Sequence, residues 1–219
     1  MKSKQLLKKG LDELGISCSK EQINAFMTYL SELKKWNRAY NLTALKTDED
    51  IIIKHFLDSL LYLKAVPART LNIADFGTGA GFPGIPIRII RPEIKLALVD
   101  SSGKKCAFLR HITRTLDLNE VRVLESRVEA LAKEHKRSYD VIVSRATFKI
   151  KDFIKKACPY IKENGTLVLS KGPRVQEEIK EVEKQGLIKK TIRLQLSVPG
   201  TRTLRAQRNL LVLCCPEGR

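Results

Sequence analysis

The sequence predicts an α/β protein in which a mostly parallel sheet carries helices on both faces and follows a helical extension. Three observations support this class. From Leu71 onward, short apolar strands alternate with helical segments, which is typical of parallel sheets. The last two strands follow one another without a helix between them, so they are expected to be antiparallel neighbours. Before Pro67, apolar residues recur at helical spacing.

Residues 1–66, called the leader below, form the predicted helical extension. Its apolar residues recur every three or four positions, as in helices that bury one face. These residues are Leu6, Leu7, Leu11, Leu14, Ile23, Phe26, Met27, Leu30, Leu33, Ile52, Ile53, Phe56, Leu57, Leu60 and Leu61. Gly15 and the stretch from Asn37 to Thr43 interrupt the pattern and predict the breaks between helices.

Residues 67–219 form the second predicted unit and supply seven strands. The segments of the alternating part are LNIADF, KLALVD, VRVLES, YDVIVS and GTLVLS, which begin at Leu71, Lys95, Val121, Tyr139 and Gly165. The final pair, TIRLQLSV and RNLLVLCC, is separated by a loop that contains proline and glycine. We therefore expect a seven-stranded sheet whose last strand is antiparallel.

Composition limits the classes of protein. With 219 residues and 43% hydrophobic content, the chain can hold one α/β domain and a smaller attachment. The start MKSKQLLKKG lacks the apolar part of a signal peptide, and no run approaches the ~18 apolar residues of a membrane span. We expect a cytoplasmic protein without a membrane partner. Nothing demands a dimer, so we expect a monomer.

The cysteines form an odd set of five: Cys18, Cys106, Cys158, Cys214 and Cys215. They include no C-x-x-C pair and no histidine at ligand spacing, which argues against a disulfide framework and against a zinc site. We expect no metal and a reducing compartment. The adjacent pair at the end of the last strand is interpreted as buried thiols, with redox chemistry as the alternative.

A net charge of +17 indicates a polyanionic partner, and composition alone leaves RNA, DNA and acidic lipid open. Residues 145–219 carry 17 Lys and Arg against 7 Asp and Glu, a surplus of 10. The alternative is that these lysines form an ordinary solvated surface.

Four glycines lie in ADFGTGAGFPG, directly after the first predicted strand. Such glycines permit a tight turn that brings backbone N–H groups and a helix N-terminus against a nucleotide-type ligand. Residues 79–84 match the dinucleotide pattern G-x-G-x-x-G, which is weak evidence alone. Residues 75–81 spell D-x-G-x-G-x-G, a spacing that resembles the first motif of S-adenosylmethionine-dependent methyltransferases. Asp100 ends the next strand, where a carboxylate accepts hydrogen bonds from ribose hydroxyls of a dinucleotide or of S-adenosylmethionine. Its alternative role is the N-cap of the next helix.

Six segments, in order over nearly the whole chain, resemble the ribosomal RNA small subunit methyltransferase G family, RsmG or GidB. They are WNRAYNLTA (36–44), KHFLDSL (54–60), DFGTGAGFPGIP (75–86), DSSGKKCAFL (100–109), SRVE (126–129) and SRA (144–146). The resemblance implies a Rossmann-like class I methyltransferase. It also implies methyl transfer from S-adenosylmethionine to N7 of one guanine in the 530 loop of 16S rRNA, with the small ribosomal subunit as partner.

The resemblance also implies the site residues. Cofactor contacts are expected from Asp75, Gly77, Gly79, Phe82, Asp100, Ser101, Val128, Glu129 and Arg145, with Asp100 and Ser101 at the ribose and Val128 and Glu129 at the adenine. The chain departs from the family pattern at Thr147 and Phe148, where smaller residues are expected, and lacks a lysine common near the family's terminus.

Guanine N7 carries a lone pair and no proton, so its methylation requires no general base. The chain has Ser144-Arg145-Ala146-Thr147 where amine methyltransferases carry [DNS]-P-P-[YFW], and no Pro-Cys or Thr-Cys pair supplies a nucleophile for pyrimidine C5. Positioning is therefore the expected mechanism.

Arg145 and Lys171 end predicted strands at the ligand-binding edge of the sheet, so we assign them as catalytic and RNA-binding residues. We expect them on phosphate or on guanine O6, with structural ion pairs as the alternative. Arg127 is the third RNA-binding candidate, and its alternative is an ion pair with Glu125 or Glu129.

Asn41, His55 and Asp58 belong to the family-like segments, but no role in catalysis follows for them. His55 and Asp58 lie at i, i+3 on one helix, and we favour a surface hydrogen bond between them, with Asn41 capping a turn. Together these contacts would fasten the leader to the rest of the protein. Trp36 is expected in the core of the leader, with base stacking as the alternative.

Two other functions remain open at this point. An NAD-dependent oxidoreductase would use the same glycine pattern and Asp100. A basic RNA-binding protein would keep the fold without catalysis, although Gly77, Asp100 and Arg145 argue against that.

Overall fold

The computed structural model describes residues 2–145, 147–173, 175–201 and 206–216, so Ala146 of the SRA segment lies outside them. The strands are β1 (Asn72–Phe76), β2 (Lys95–Asp100), β3 (Val121–Glu125), β4 (Tyr139–Arg145), β5 (Ile161–Lys171), β6 (Ile188–Leu196) and β7 (Ala206–Leu213). They form one sheet in the order β3-β2-β1-β4-β5-β7-β6. Neighbours among β1 to β5 are parallel, whereas β7 is antiparallel to both β5 and β6. The seven-stranded sheet with an antiparallel last strand is confirmed.

The helices are α1 (Ser3–Leu14), α2 (Lys20–Tyr40), α3 (Asp48–Ile51), α4 (Asp58–Leu60), α5 (Gly84–Ile90), α6 (Gly103–Thr115), α7 (Ile150–Ala157) and α8 (Gln176–Glu183). A π-helical turn, Ile52–Leu57, joins α3 to α4. Both predicted breaks in the leader are present. Gly15 ends α1 with φ 68°, and Asn41 ends α2 with φ 50°, so the expected capping role of Asn41 is confirmed.

Alternate residues of the sheet face two hydrophobic cores, as expected for a sheet covered on both sides. One core packs strand residues such as Ile73 and Leu98 against α5, α6 and the leader. The other packs residues such as Phe76 and Ile142 against α7 and α8. The leader therefore shares a hydrophobic core with the sheet.

The cysteine interpretation is wrong in one respect, because Cys158 and Cys215 form a disulfide with Cα atoms 5.6 Å apart. Cys214 and Cys215 are only partly buried and lie just beyond β7, so they are not buried thiols of the last strand. The pairing spans 57 positions and depends on β7 lying beside β5, which residue spacing does not reveal. Within the described ranges, no helix is both long and apolar enough to cross a membrane.

Candidate functional site

The glycine loop, residues 77–83, connects β1 to α5 at the carboxyl edge of the sheet. Gly77, Gly79 and Gly81 have φ values of 70°, 63° and 100°, which favour glycine. A Cβ at Gly81 would lie 2.5 Å from the hydroxyl oxygen of Tyr29, so α2 requires a glycine there. A Cβ at Gly79 would meet no atom within 4 Å, so the space above this glycine is open to a ligand.

Backbone N–H groups of the glycine loop are bonded within the protein. The bonded donors are Gly77, Thr78, Gly79, Gly81 and Phe82. The first two donate to the Val99 carbonyl, at 2.9 and 3.1 Å, and the last two donate to the Thr78 carbonyl. Gly79 donates to Oδ2 of Asp100 at 2.9 Å. The expectation that these N–H groups face a ligand is therefore wrong.

Asp75 supports the loop from beneath and is fully buried. Its Oδ2 accepts the Thr78 hydroxyl at 2.7 Å and the Gly84 N–H at 2.8 Å. Burial raises the pKa of Asp75 to about 7, while the bonds from Thr78 and Gly84 oppose that rise. The carboxyl group thus fixes the two ends of the loop, whereas cofactor contact by Asp75 stays a prediction.

Asp100 joins the end of β2 to both neighbouring loops. Its Oδ1 accepts the Ser102 N–H at 3.0 Å, and its Oδ2 accepts the Gly79 N–H. The N-cap residue of α6 is Ser102, so the N-cap alternative for Asp100 is wrong. Ser101 is exposed next to it. Both residues lie at the edge where a ribose is expected.

Val128 and Glu129 lie on a short 3₁₀ turn after β3. The carbonyl of Val128 accepts the hydroxyl of Tyr160 at 2.8 Å, which fixes this turn against the second core. Glu129 is exposed and forms an ion pair with Lys156. This places the predicted adenine contacts beside the carboxyl end of β3.

Arg127 is exposed on the same turn. Its two candidate partners have other cations: Glu125 pairs with Arg110 at 3.0 Å, and Glu129 pairs with Lys156. The ion-pair alternative for Arg127 is therefore wrong, and RNA contact stays a prediction.

Arg145 extends from the end of β4 to the leader. Its Nη1 donates to the Lys54 carbonyl at 3.1 Å, and its Nη2 donates to Nδ1 of His55 at 2.9 Å. Nη1 also lies 3.5 Å from Oδ2 of Asp58. With 18% of its side chain exposed, Arg145 is both a leader contact and an accessible cation.

His55 is neutral in this arrangement. Burial and the nearby Arg145 guanidinium lower the pKa of His55 to about 3. The predicted surface bond between His55 and Asp58 is wrong, because both residues point into the contact with the sheet and bind Arg145. Asp58, only 2% exposed, also pairs with Arg208 of β7 at 2.7 Å. Burial raises the pKa of Asp58, and the two guanidinium groups oppose this.

The ring of Phe82 is 3% exposed and lies between two leader rings. Its centroid is 5.3 Å from that of Tyr29 and 4.3 Å from that of His55, with both pairs stacked. Arg145 lies over the same ring at 5.2 Å. This ring therefore belongs to the contact between loop and leader, and a cofactor contact through Phe82 stays a prediction.

Lys171 has protein partners at the end of β5. Its Nζ donates to the Phe148 carbonyl at 2.6 Å and lies 3.4 Å from Oε2 of Glu178. These contacts hold the segment after β4. A role on RNA stays a prediction for this side chain.

Trp36 packs against the hydrophobic core that the leader shares with the sheet. Its ring lies 5.4 Å from that of Tyr40 within the leader, and 5.6 Å from Phe108 and 5.1 Å from His111 on α6. In the part of the chain that is described, no group of three His, Cys, Asp or Glu residues is arranged to hold a metal ion.

Sequence reasoning missed four residues of this site: Tyr29, Thr43, Tyr62 and Arg208. Tyr29 donates its hydroxyl to the Ala80 carbonyl, and Tyr62 donates to the Ser144 carbonyl, each at 2.5 Å. Thr43 contacts His55, and Arg208 contacts Asp58. Only Thr43 carried a signal, since it lies inside the WNRAYNLTA segment.

Comparison with solved structures identifies the class of fold. The chain resembles precorrin-6y C5,15-methyltransferase of Geobacter metallireducens GS-15, with a TM-score of 0.56, 13% identity and coverage of 81% of this chain and 92% of that one. It also resembles the ribosomal protein L11 methylase of Lactobacillus delbrueckii subsp. bulgaricus, with a TM-score of 0.56, 15% identity and coverage of 74% and 79%. The strand order and the glycine loop after β1 thus belong to a Rossmann-like methyltransferase fold.

Sequence comparison then identifies the family. The profile of the rRNA small subunit methyltransferase G family, GidB, matches residues 22–211. The ribosomal RNA small subunit methyltransferase G of Clostridium kluyveri is 44% identical over 172 residues, which cover 77% of this chain and 73% of that protein. Its counterpart in Geobacter sp. strain M21 is 43% identical over 179 residues, which cover 81% of each. The chain belongs to the rRNA small subunit methyltransferase G family.

Proposed function

We propose that the protein transfers a methyl group from S-adenosylmethionine to N7 of one guanine in the 530 loop of 16S rRNA, within the small ribosomal subunit. The observation that carries this proposal is the glycine loop. It has open space at Gly79, while five of its N–H groups are bonded internally. We place the protein in the cytoplasm as a monomer, because its partner is a ribosomal subunit and its sequence demands no dimer.

The loop fits a sulfonium donor better than a dinucleotide. A pyrophosphate requires N–H donors from the loop after the first strand and from the next helix. Here the donors at Gly77, Gly79 and Gly81 already have internal acceptors. A sulfonium centre requires no such donors, so nothing in this loop favours the NAD-dependent alternative.

The residues around the loop fit the rest of the donor. Asp100 and Ser101 lie at the end of β2, where they would hold the ribose hydroxyls. Val128 and Glu129, on the turn after β3, would flank the adenine, and Gly79 would pass beneath the sulfonium. The side chain of Thr147 lies against Gly77, where a Cβ would be 2.8 Å from Cγ2 of Thr147, so contact of Gly77 with the donor stays a prediction. When bound, the donor supplies an electrophilic methyl group.

The protein's own contribution is placement. Guanine N7 carries no proton, so its methylation needs no general base. Holding two reactants in line contributes up to about 7 to 11 kcal/mol. Arg145 supplies a cation at the end of β4, 5.2 Å from the Phe82 ring of the loop, where it would hold an RNA phosphate or guanine O6.

A methyl-transfer assay tests the proposal. The purified protein is incubated with radiolabelled S-adenosylmethionine and small subunits from a strain that lacks this methylation. Strand scission at 7-methylguanosine then maps the product. We expect one labelled site in the 530 loop, and we expect Arg145→Ala to lose transfer while it stays folded, with a lower melting temperature because its bonds to Lys54, His55 and Asp58 are lost.

Label at a different base, or no incorporation with correctly folded protein, would contradict the assignment. Wild-type transfer by Arg145→Ala would instead remove Arg145 from the site and leave the reaction intact.

A further inference from the structure

We propose that Thr43 and His55 are positioning residues that hold the Arg145 guanidinium from the leader side and keep its remaining N–H groups for an oxygen of the RNA. This inference rests on the proposed function, because it assigns Arg145 to the substrate. The inference gives the WNRAYNLTA and KHFLDSL segments a role, because the methyl-transfer step alone does not explain them.

The guanidinium of Arg145 has five N–H groups. Nη1 is directed to the Lys54 carbonyl and to Oδ2 of Asp58, and one N–H of Nη2 is directed to Nδ1 of His55. The Nε–H and the second Nη2–H have no hydrogen-bond partner among the residues that the structure describes. In a guanidinium, Nε–H and one Nη2–H share an edge that matches two oxygens of a phosphate, and a single N–H can bind guanine O6, while N7 stays free to accept the methyl group.

The proton arrangement around His55 follows from its partners. A guanidinium only donates, so Nδ1 of His55 accepts from Arg145 and Nε2 carries the proton. Nε2 then donates to Oγ1 of Thr43, 2.8 Å away. The same oxygen accepts the Leu45 N–H at 3.2 Å, so Thr43 is fixed as an acceptor. Burial and Arg145 keep the pKa of His55 at about 3, so the imidazole is neutral at neutral pH and its Nδ1 remains an acceptor for Arg145.

Thr43 is held in turn by the end of α2. Its N–H donates to Oδ1 of Asn37 at 2.8 Å. Asn37 also accepts the N–H of Asn41 through its carbonyl at 3.1 Å, where α2 ends. A chain of hydrogen bonds therefore runs from the last turn of α2 through Thr43 and His55 to Arg145.

Stacking fixes the plane of the His55 ring. The rings of His55 and Phe82 are 4.3 Å apart with an interplanar angle of 15°. Arg145 lies over the same Phe82 ring at 5.2 Å. Ring and guanidinium are thereby held against one rigid surface.

Asp58 is a weaker candidate for this role. Its Oδ2 is 3.5 Å from Nη1 of Arg145, whereas its Oδ1 is 2.7 Å from Nε of Arg208. Asp58 chiefly ties β7 to the leader, and removal of its charge would leave two partly buried cations without this counter-charge. His55 is the closest side-chain acceptor of Arg145, so it provides the cleaner test.

Three substitutions at His55 separate the two ring nitrogens. Asn places an oxygen near the Nδ1 position and retains an acceptor for Arg145, while Gln reaches the Nε2 position and Leu supplies neither. We expect His55→Gln and His55→Leu to lose about 10- to 100-fold in kcat/KM for under-methylated subunits, as misplacement of a substrate contact costs. His55→Asn should recover most of that loss. Affinity for S-adenosylmethionine should stay unchanged in all three.

His111→Leu is the matched control. His111 also joins the leader to the sheet, through Glu32 at 2.6 Å, but has no contact with Arg145 among its described bonds. Its kcat/KM should equal that of the wild type. A loss equal to that of His55→Leu would show that leader attachment, rather than Arg145, is responsible.

A double-mutant cycle with Arg145→Ala completes the test, with binding affinity for under-methylated subunits as the measured quantity because Arg145→Ala is expected to transfer no methyl group. If His55 acts through Arg145, His55→Leu has no further effect in the Arg145→Ala background. Additive losses, wild-type activity of His55→Gln and His55→Leu, or no recovery by a folded His55→Asn would each overturn the inference. If the wild type itself transfers no methyl group, the proposed function fails instead.

Discussion

Asp75 is a motif residue with a structural role at the glycine loop. The D-x-G-x-G-x-G pattern predicts cofactor contact, which stays a prediction, and the structure shows a fully buried carboxyl group that fixes Thr78 and Gly84. Its Oδ1 has no partner among the described residues. Burial of an incompletely bonded carboxyl group stabilises its protonated form.

The stability of the protein should therefore depend on pH through Asp75. The folded pKa is about 7, against an ordinary value of 3.8, so the folded state binds more protons between these values. The contribution of Asp75 is fully present below about pH 4 and is lost as the pH rises through 7. We expect Asp75→Asn to gain stability relative to the wild type from pH 5 to pH 8, by a few kcal/mol at about 1.4 kcal/mol per unit of pKa difference.

Urea unfolding of both proteins at pH 5, 6.5 and 8 measures this change. A constant difference between the two free energies of unfolding across these pH values would contradict the proposed titration of Asp75.

Among the elements, α2 has the most direct effect on the site. Tyr29 donates its hydroxyl to the Ala80 carbonyl inside the glycine loop and stacks on Phe82. The leader thereby braces the loop from one side, while Asp75 braces it from the other. A helix of the leader in this way helps to shape the glycine loop.

Tyr29→Phe should loosen the glycine loop. The buried Ala80 carbonyl would lose its donor, at a cost of about 1 to 3 kcal/mol, and the dissociation constant for S-adenosylmethionine should rise. Tyr139→Phe is the control, since its hydroxyl bonds to His135 at the other end of β4. Calorimetric titration and urea unfolding give both quantities. Equal donor affinities for Tyr29→Phe and the control would show that the hydroxyl does not act on the loop.

The strands were predictable because parallel strands buried on both faces are short, apolar and separated by helices. The residues at which the strands begin and end were harder to predict. β5 begins at Ile161 rather than Gly165, because Ile161 pairs with Tyr139 across a register shift. The π-helical turn left no signal, since the spacing of apolar residues around it remains helical.

The ends of strands were equally informative for the site. Asp100 and Arg145 lie at the carboxyl edge, as the alternation of strands and helices predicts. The partners of Arg145 were not predictable, because they depend on how the leader docks against β4 and β7. The disulfide between Cys158 and Cys215 escaped prediction because it depends on β7 lying beside β5.

At the scale of the whole molecule, charge and shape point to one kind of substrate. The net charge of +17 accompanies the open space at Gly79, and a positive net charge draws a large polyanion toward the protein. The leader and the sheet share a core, so they would meet such a polyanion as one body.

RNA affinity should therefore fall steeply with salt. Neutralising about five phosphates gives a slope near −4 in a plot of log affinity against log salt. Filter binding with a 530-loop fragment from 50 to 300 mM KCl measures the slope, and donor affinity over the same range serves as control. A flat profile for the RNA would mean that the basic residues form only a solvated surface.

Calorimetric titration with S-adenosylmethionine and with NADH shows whether the open space at Gly79 holds the methyl donor. The titration compares three proteins: the wild type, Gly79→Ala and Gly15→Ala. Gly79→Ala fills that space, and Gly15→Ala is its match, since Gly15 has a similar φ of 68° and equally open surroundings at the end of α1. Both substitutions carry about 1 to 2 kcal/mol of backbone strain. We expect the wild type and Gly15→Ala to bind S-adenosylmethionine but not NADH. Gly79→Ala should lose about tenfold or more in affinity for S-adenosylmethionine. Undiminished binding by Gly79→Ala, or binding of NADH in place of S-adenosylmethionine, would contradict this assignment of the space to the donor.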